Sequence, residues 1–345
     1  MTVTEDRPAR SRVTLTGISS RAWEHPADRG ALVALRQLKG FDTVLRKLSG
    51  LINERALRLI FLASAVRCDD RQFPRVHRLF AEAAATLDIR ELPELYVTTN
   101  PFPNAMAIGM DKPFVVLNSG LVSMLDEEEL RFVLGHELGH VQSGHAVYRT
   151  LLLWLIRLTG MVNWVPFGAL GLRAIVAALM EWHRKAELSG DRAGLLAGQD
   201  PQAALRTHMK LASGGRLEEI DATAFLAQAA EYDSVDGDLR DSVLKLLLLE
   251  AQSHPYLTVR AAELKRWTDE GEYARILSGD YPRREDDANA KMSEEARRAA
   301  ESYKEAFTRS QDPLAKILSD FGGTMDGVRD KVSGFFGRGR DSDRD

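Results

Sequence analysis

The sequence predicts a mainly α-helical α+β fold with a small β-sheet. Leucine-rich stretches recur at helical spacing through the first ninety residues, three short β-prone pieces cluster between Leu95 and Leu117, and helical patterning resumes after them. With 345 residues, 44% hydrophobic and 28% charged, the chain can bury a substantial core. Its 46 basic and 50 acidic residues leave a formal net charge of -4, so no overall field favours nucleic acid, and none is expected as a partner. The single cysteine, Cys68, excludes an intrachain disulfide and fits a reducing cytoplasm. No continuous apolar run of signal-peptide length opens the chain, so the mature protein is expected to begin near Met1.

Residues 1–26 read as a polar N-terminal segment and 27–90 as N-terminal helices. Leu32, Leu35, Leu38, Phe41, Leu45 and Leu48 keep helical spacing, and a second apolar run covers Leu51 to Val66. Pro74 suits the first turn of a helix that buries Val76, Leu79, Phe80 and Ala83. The pieces LYVTT, AMAIG and FVVLN, separated by proline, asparagine and glycine, form the sheet. Asp126 and Glu129 make a capping box at the start of the next helix, whose buried stripe is Leu130, Val133, Leu134 and Val141.

From Leu151 to Met180 the chain is strongly apolar but interrupted by Arg157, Asn163, Pro166 and Arg173. A central arginine costs about 2.5–3.5 kcal/mol on insertion scales, so 151–180 is expected as a helical hairpin packed on protein or resting on a bilayer surface rather than spanning it. The core is set at 91–283, with a charged C-terminal extension at 284–345. Within that extension, Leu314, Leu318, Phe321, Met325, Val328, Val332 and Phe335 give an amphipathic helix over 313–336. That seam and the hairpin are the two expected surfaces for peripheral membrane contact.

The chemistry lies in HELGH. On a helix, His136 and His140 leave the same face and can share one tetrahedral ion, while Glu137 sits beside the open coordination position, where it can take a proton from an activated water. A catalytic zinc site needs a third protein ligand. HELGHVQSGH resembles the metalloprotease signature HExxHxxGxxH, but its glycine and last histidine are each displaced by one residue. In a continuing helix His145 would face away from His136. A better third ligand is Glu187 in AELSGDRAGLLAG, with Asp191 one turn later accepting the free N–H of a ligating histidine. His183, one turn before Glu187, is its rival.

HELGH followed by ELSGD resembles the layout of the HtpX-like and CAAX-prenyl-protease-like family of zinc metallopeptidases. NPFPNAMAIG, FVVLNSGLV and SHPYLTVR resemble further segments of that family, and together the motifs cover roughly Leu92 to Arg266. The resemblance implies a zincin-like core with its sheet beside the HExxH helix. It also implies one Zn(2+) per chain at His136, His140 and Glu187, with Glu137 as general base and Asp191 orienting a ligand. It further implies an edge strand at Asn104 and Ala105 that binds an extended substrate backbone, His254 as a donor to the oxyanion, and Arg260 buttressing the carboxylates. The expected activity is a zinc endopeptidase acting on peptides or proteins in quality control. A prenylated substrate would need a chamber of many membrane helices, for which there is no material. A zinc-organised scaffold at membranes or partner helices is the alternative, and a tail that restrains a latent enzyme is a third reading.

Overall fold

Two helices that touch almost backbone to backbone organise the molecule, and the computed structural model describes residues 11–37, 54–161, 168–234 and 256–287. Helices α1 (Pro26–Gln37) and α2 (Glu54–Ser64) precede strand β1 (Val66–Arg67) and helix α3 (Pro74–Thr86). Strands β2 (Leu95–Thr98), β3 (Ala105–Ile108) and β4 (Phe114–Asn118) lead through the short α4 (Ser119–Met124) to α5 (Glu127–Gln142). Then follow α6 (His145–Met161), α7 (Gly168–Gly198), α8 (Pro201–Ser213), α9 (Ala222–Ser234), α10 (Leu257–Asp269) and α11 (Glu272–Leu277). This is a mainly helical α+β architecture with one small sheet.

The sheet order is β1-β2-β4-β3, with β2 parallel to β4 and both outer strands antiparallel to their neighbours. Three of its strands coincide with the β-prone pieces. The fourth is a departure from the sequence reading, which ran one apolar stretch to Val66. The helix stops at Ser64, and Val66 pairs with Val97 instead, because a β-branched residue beside an open sheet edge gains a partner there. Strand β4 is buried throughout: Val115 and Leu117 face the main core, while Phe114 and Val116 face a second cluster under Leu57 and Phe61 of α2.

Helix α3 starts at Pro74 and buries Val76, Leu79, Phe80 and Ala83, and the capping box of α5 forms with both bonds at 2.9 Å. Glycines then decide how α5 meets α7. A Cβ on Gly135 would come within 2.3 Å of the Ala197 Cβ, and one on Gly139 within 2.3 Å of the Ala193 Cβ. The pairing of 135 with 197 and of 139 with 193 makes the helices antiparallel, at a separation only glycine permits.

Residues 11–25 of the polar N-terminal segment contribute to the core. Leu15, Ile18 and Trp23 are fully buried, too few and too widely spaced to give a periodic signal. Backbone bonds tie Leu15 to Thr86, and Ile18 bridges to Arg283. Helix α6 and the first half of α7 account for the apolar stretch 151–180, apart from 162–167, which lie outside the described residues. Leu151, Leu152 and Leu155 pack there against Val176, Leu179 and Trp182, with Ala31 and Leu35 of α1 closing the cluster. Among the described residues no helix is long and apolar enough to cross a membrane. The amphipathic seam at 313–336 and part of the leucine stripe in the first ninety residues also lie outside them.

Candidate metal centre

Helix α5 carries His136, Glu137 and His140 on one buried face, and α7 delivers Glu187 opposite them. The Nε2 atoms of His136 and His140 are 3.0 Å apart, and the Glu187 carboxylate lies 3.6 Å from the first and 3.4 Å from the second. One ligand atom from each residue falls within 4.8 Å of the others, the only such grouping found among the described residues. His183 stands 3.7 Å from Glu187 but outside this group. The space for the His136 ring depends on Gly190, where a Cβ would strike its Cε1 at 2.6 Å.

Behind the ligand atoms, each imidazole is held at its other nitrogen. His136 Nδ1 faces Asp191 Oδ1 at 3.0 Å. Arg260 grips Asp191 with two bonds of 2.8 and 2.6 Å and reaches Glu187 Oε2 at 2.9 Å. His208 adds a contact to Asp191 Oδ2 at 3.2 Å. On the other imidazole, His140 Nδ1 lies 3.0 Å from His145 Nδ1, and His145 Nε2 lies 3.1 Å from Asp28 Oδ2.

The position of His145 corrects the sequence argument. A continuous helix would have turned it away, but α5 ends at Gln142, Gly144 adopts a positive φ of 70°, and α6 restarts at His145 with its ring swung back. Both its nitrogens are engaged behind His140, so it supports a candidate ligand and is not itself in the group of three.

Neither oxygen of Glu137 takes a hydrogen bond from the described residues, although the side chain is fully buried. The group facing it is Arg149 of α6, whose Nη1 lies 3.5 Å from Glu137 Oε2 while its Nη2 donates to the Ala105 carbonyl at 3.3 Å. Ala105 opens β3, an edge strand, and Asn104 precedes it with its carbonyl accepting the Asn118 N–H. In an antiparallel pair this alternation turns the N–H and C=O of Ala105 and Ala107 away from β4. His254 lies outside the described residues. Asp28, Arg149 and His208 escaped the sequence reading, since a lone charge near a helix start, or a single histidine, carries no spacing signal.

Burial and neighbouring charges shift the two imidazoles in opposite directions. Burial depresses both imidazoles, yet hydrogen bonds and charge from Asp191 and Glu187 outweigh it at His136, whose pKa is pushed up to about 9, while His140 is held well below its ordinary value. Burial would raise Asp191, but Arg260 and His208 hold it well below the usual carboxylate range. Burial would likewise raise Asp28, and the neighbouring His145 and the Ser189 hydrogen bond bring it below its ordinary value. Two neutral imidazole nitrogens and one carboxylate oxygen form the donor set that suits Zn(2+) at a catalytic site, so these residues fit that ion.

Residues 70–268 match the sequence pattern of peptidase family M48. The chain is 34% identical over 259 residues to the plastoglobule-localized metallopeptidase 48, chloroplastic, of Arabidopsis thaliana, covering 74% of each chain. It is 29% identical over 219 residues to a protease HtpX homolog of Bacillus subtilis, covering 55% of this chain and 67% of that one. A protease HtpX homolog of Tropheryma whipplei is 33% identical over 109 residues, and there the match spans only 37% of the relative. No solved structure gives a significant match.

Proposed function

The chain belongs to peptidase family M48, and from that premise we propose that it is a zinc-dependent endopeptidase with His136, His140 and Glu187 as ligands and Glu137 as general base. That it is a metallopeptidase follows from the family; the metal, the residue roles and internal cleavage are our reading. The observation that carries it is the convergence of two imidazoles and a carboxylate next to a buried Glu137 that takes no hydrogen bond from the described residues.

A zinc ion held there supplies a Lewis acid that polarises the scissile carbonyl and acidifies water. Glu137 takes the proton of the attacking water and passes it to the leaving amine. Asp191 keeps the His136 proton on Nδ1, so that Nε2 presents its lone pair, and Arg260 neutralises the Asp191 and Glu187 carboxylates from behind. The outward N–H groups of Ala105 and Ala107 and the Ala107 carbonyl, next to Asn104, suit an extended peptide added as a further strand, which leaves chain free to run on at both ends and so favours internal cleavage. His254 belongs to this proposal as the oxyanion donor. A quality-control role and a cytoplasmic setting complete it, the second resting on the one buried cysteine.

The decisive experiment is cleavage of a peptide library by wild type and Glu137→Gln, with and without chelator. The variant is expected to bind one zinc per chain and to lose roughly 10²–10⁴-fold in cleavage rate. Full activity in that variant would remove Glu137 from the mechanism. Undiminished zinc content in Glu187→Ala would remove the third ligand.

A further inference from the structure

Helix α1 lies ahead of the residues that match the family pattern, yet its Asp28 side chain is 2% exposed and sits behind the metal centre. Three donors surround this carboxylate. Ser189 Oγ donates to Oδ2 at 2.6 Å, Trp182 Nε1 donates to Oδ1 at 3.0 Å, and His145 Nε2 lies 3.1 Å from Oδ2. Ser189 is itself fixed, accepting the backbone N–H of His25 at 2.8 Å. A carboxylate so surrounded can only accept, and it cannot rotate away without stranding a buried donor.

The order of protons follows from that constraint. An accepting Asp28 fixes a His145 proton on Nε2, and in the neutral ring Nδ1 is then a lone pair. That lone pair faces His140 Nδ1 at 3.0 Å, so the His140 proton belongs on Nδ1. The lone pair of His140 Nε2 then points at His136 and Glu187. A proton on His145 Nδ1 would instead force the His140 proton onto the nitrogen that must bind the ion.

We propose that Asp28 and His145 form a relay that sets the tautomer and orientation of His140, making the N-terminal helix a working part of the metal centre. Both are positioning residues, acting through His140. The relay is the counterpart of the shorter link from Asp191 to His136, with one imidazole inserted between carboxylate and ligand. It rests on the reading that the site holds a metal ion.

Two measurements test it. In zinc-loaded wild type labelled with ¹⁵N-histidine, long-range proton–nitrogen spectra should show His145 protonated on Nε2 alone and His140 on Nδ1 alone. His145 carrying a proton on Nδ1, alone or as a cation, overturns the relay. Assignment uses the signal missing from His145→Phe. In chelator competition, Asp28→Ala and His145→Phe should each weaken zinc binding about 10–100-fold. The double variant should bind no more weakly than His145→Phe, because Asp28 reaches the metal only through that ring. Additive losses would mark Asp28 as a mere anchor of α1 and overturn the proposal, as would undiminished affinity in either single variant. Should Asp28→Ala fail to fold, the wild-type spectrum decides alone. A wild type that takes up no zinc sinks the metallopeptidase site itself, an outcome distinct from zinc binding that ignores Asp28.

Discussion

Arg149 Nη1 stands 3.5 Å from the Glu137 carboxylate, while the other end of the same guanidinium donates to the Ala105 carbonyl. One planar group thus links the proposed base to the proposed substrate strand. Arg149→Met should leave zinc content unchanged and lower kcat by about 100-fold, the loss expected when reacting groups are misplaced by an ångström or so. An unaltered kcat in steady-state peptide cleavage would show that the contact is idle.

Gly190 leaves no room for a side chain against His136. In Gly190→Ala the new Cβ must displace the imidazole ring, whose Cε1, Nδ1 and Nε2 all lie within 2.8 Å of its position. The variant should lose stability by about 1–3 kcal/mol through overpacking, and zinc affinity should fall with it. Thermal unfolding with and without zinc reads both. Equal stabilisation of variant and wild type by the metal would show that the ring had not moved.

His25 caps the helix that carries Asp28, its Nδ1 accepting the Ala27 N–H at 3.1 Å. Burial lowers its pKa, and the partial offset from Glu263 leaves it below 6.5. A base whose folded pKa is depressed supports the fold fully above its unfolded value, and that support is lost as pH falls from about 6.5 toward the folded value. Wild type should therefore lose stability over that window relative to His25→Asn, which keeps an acceptor at the cap and does not titrate. Parallel pH profiles for the two proteins, by chemical denaturation, would exclude the cap.

Cys68 is buried, and burial together with the nearby Asp69 charge pushes its thiol up to about 12. At pH 8 the thiolate fraction falls roughly 10³-fold below that of an ordinary cysteine. Ellman's reagent should find no thiol in the native protein and one after unfolding. Stoichiometric labelling of the folded chain would contradict the burial.

Local signals made much of this readable in advance. Pro74, the Asp126 and Glu129 box and the alternating β-prone pieces each specify their own element from nearby residues, and the structure has those elements. HELGH and the spacing of Glu187 from Asp191 express helical geometry directly, while the meeting of the two segments was implied only by the family resemblance. What escaped depends on contacts between distant segments. Val66 becomes a strand because Val97 is beside it, and the segment around Leu15 and Ile18 is buried because Thr86 and Arg283 receive it. His145 faces His140 rather than away because Gly144, with its positive φ, breaks the helix that the spacing alone would continue. Asp28 and Arg149 had no partner in view until the fold supplied one.

The near-touching of Gly139 and Ala193 has a mechanical meaning. Ligand distances at a metal site tolerate deviations of only about 0.2 Å. A Cβ at 139 would sit 2.3 Å from that of Ala193, far inside contact distance, so even a methyl group there must wedge the helices apart. Glu187 rides on one helix and both histidines on the other, so under the proposed ligation bulk added at that seam would stretch the bonds to the ion. Gly135 and Gly139 act as a spacing gauge for the two helices that carry the proposed ligands.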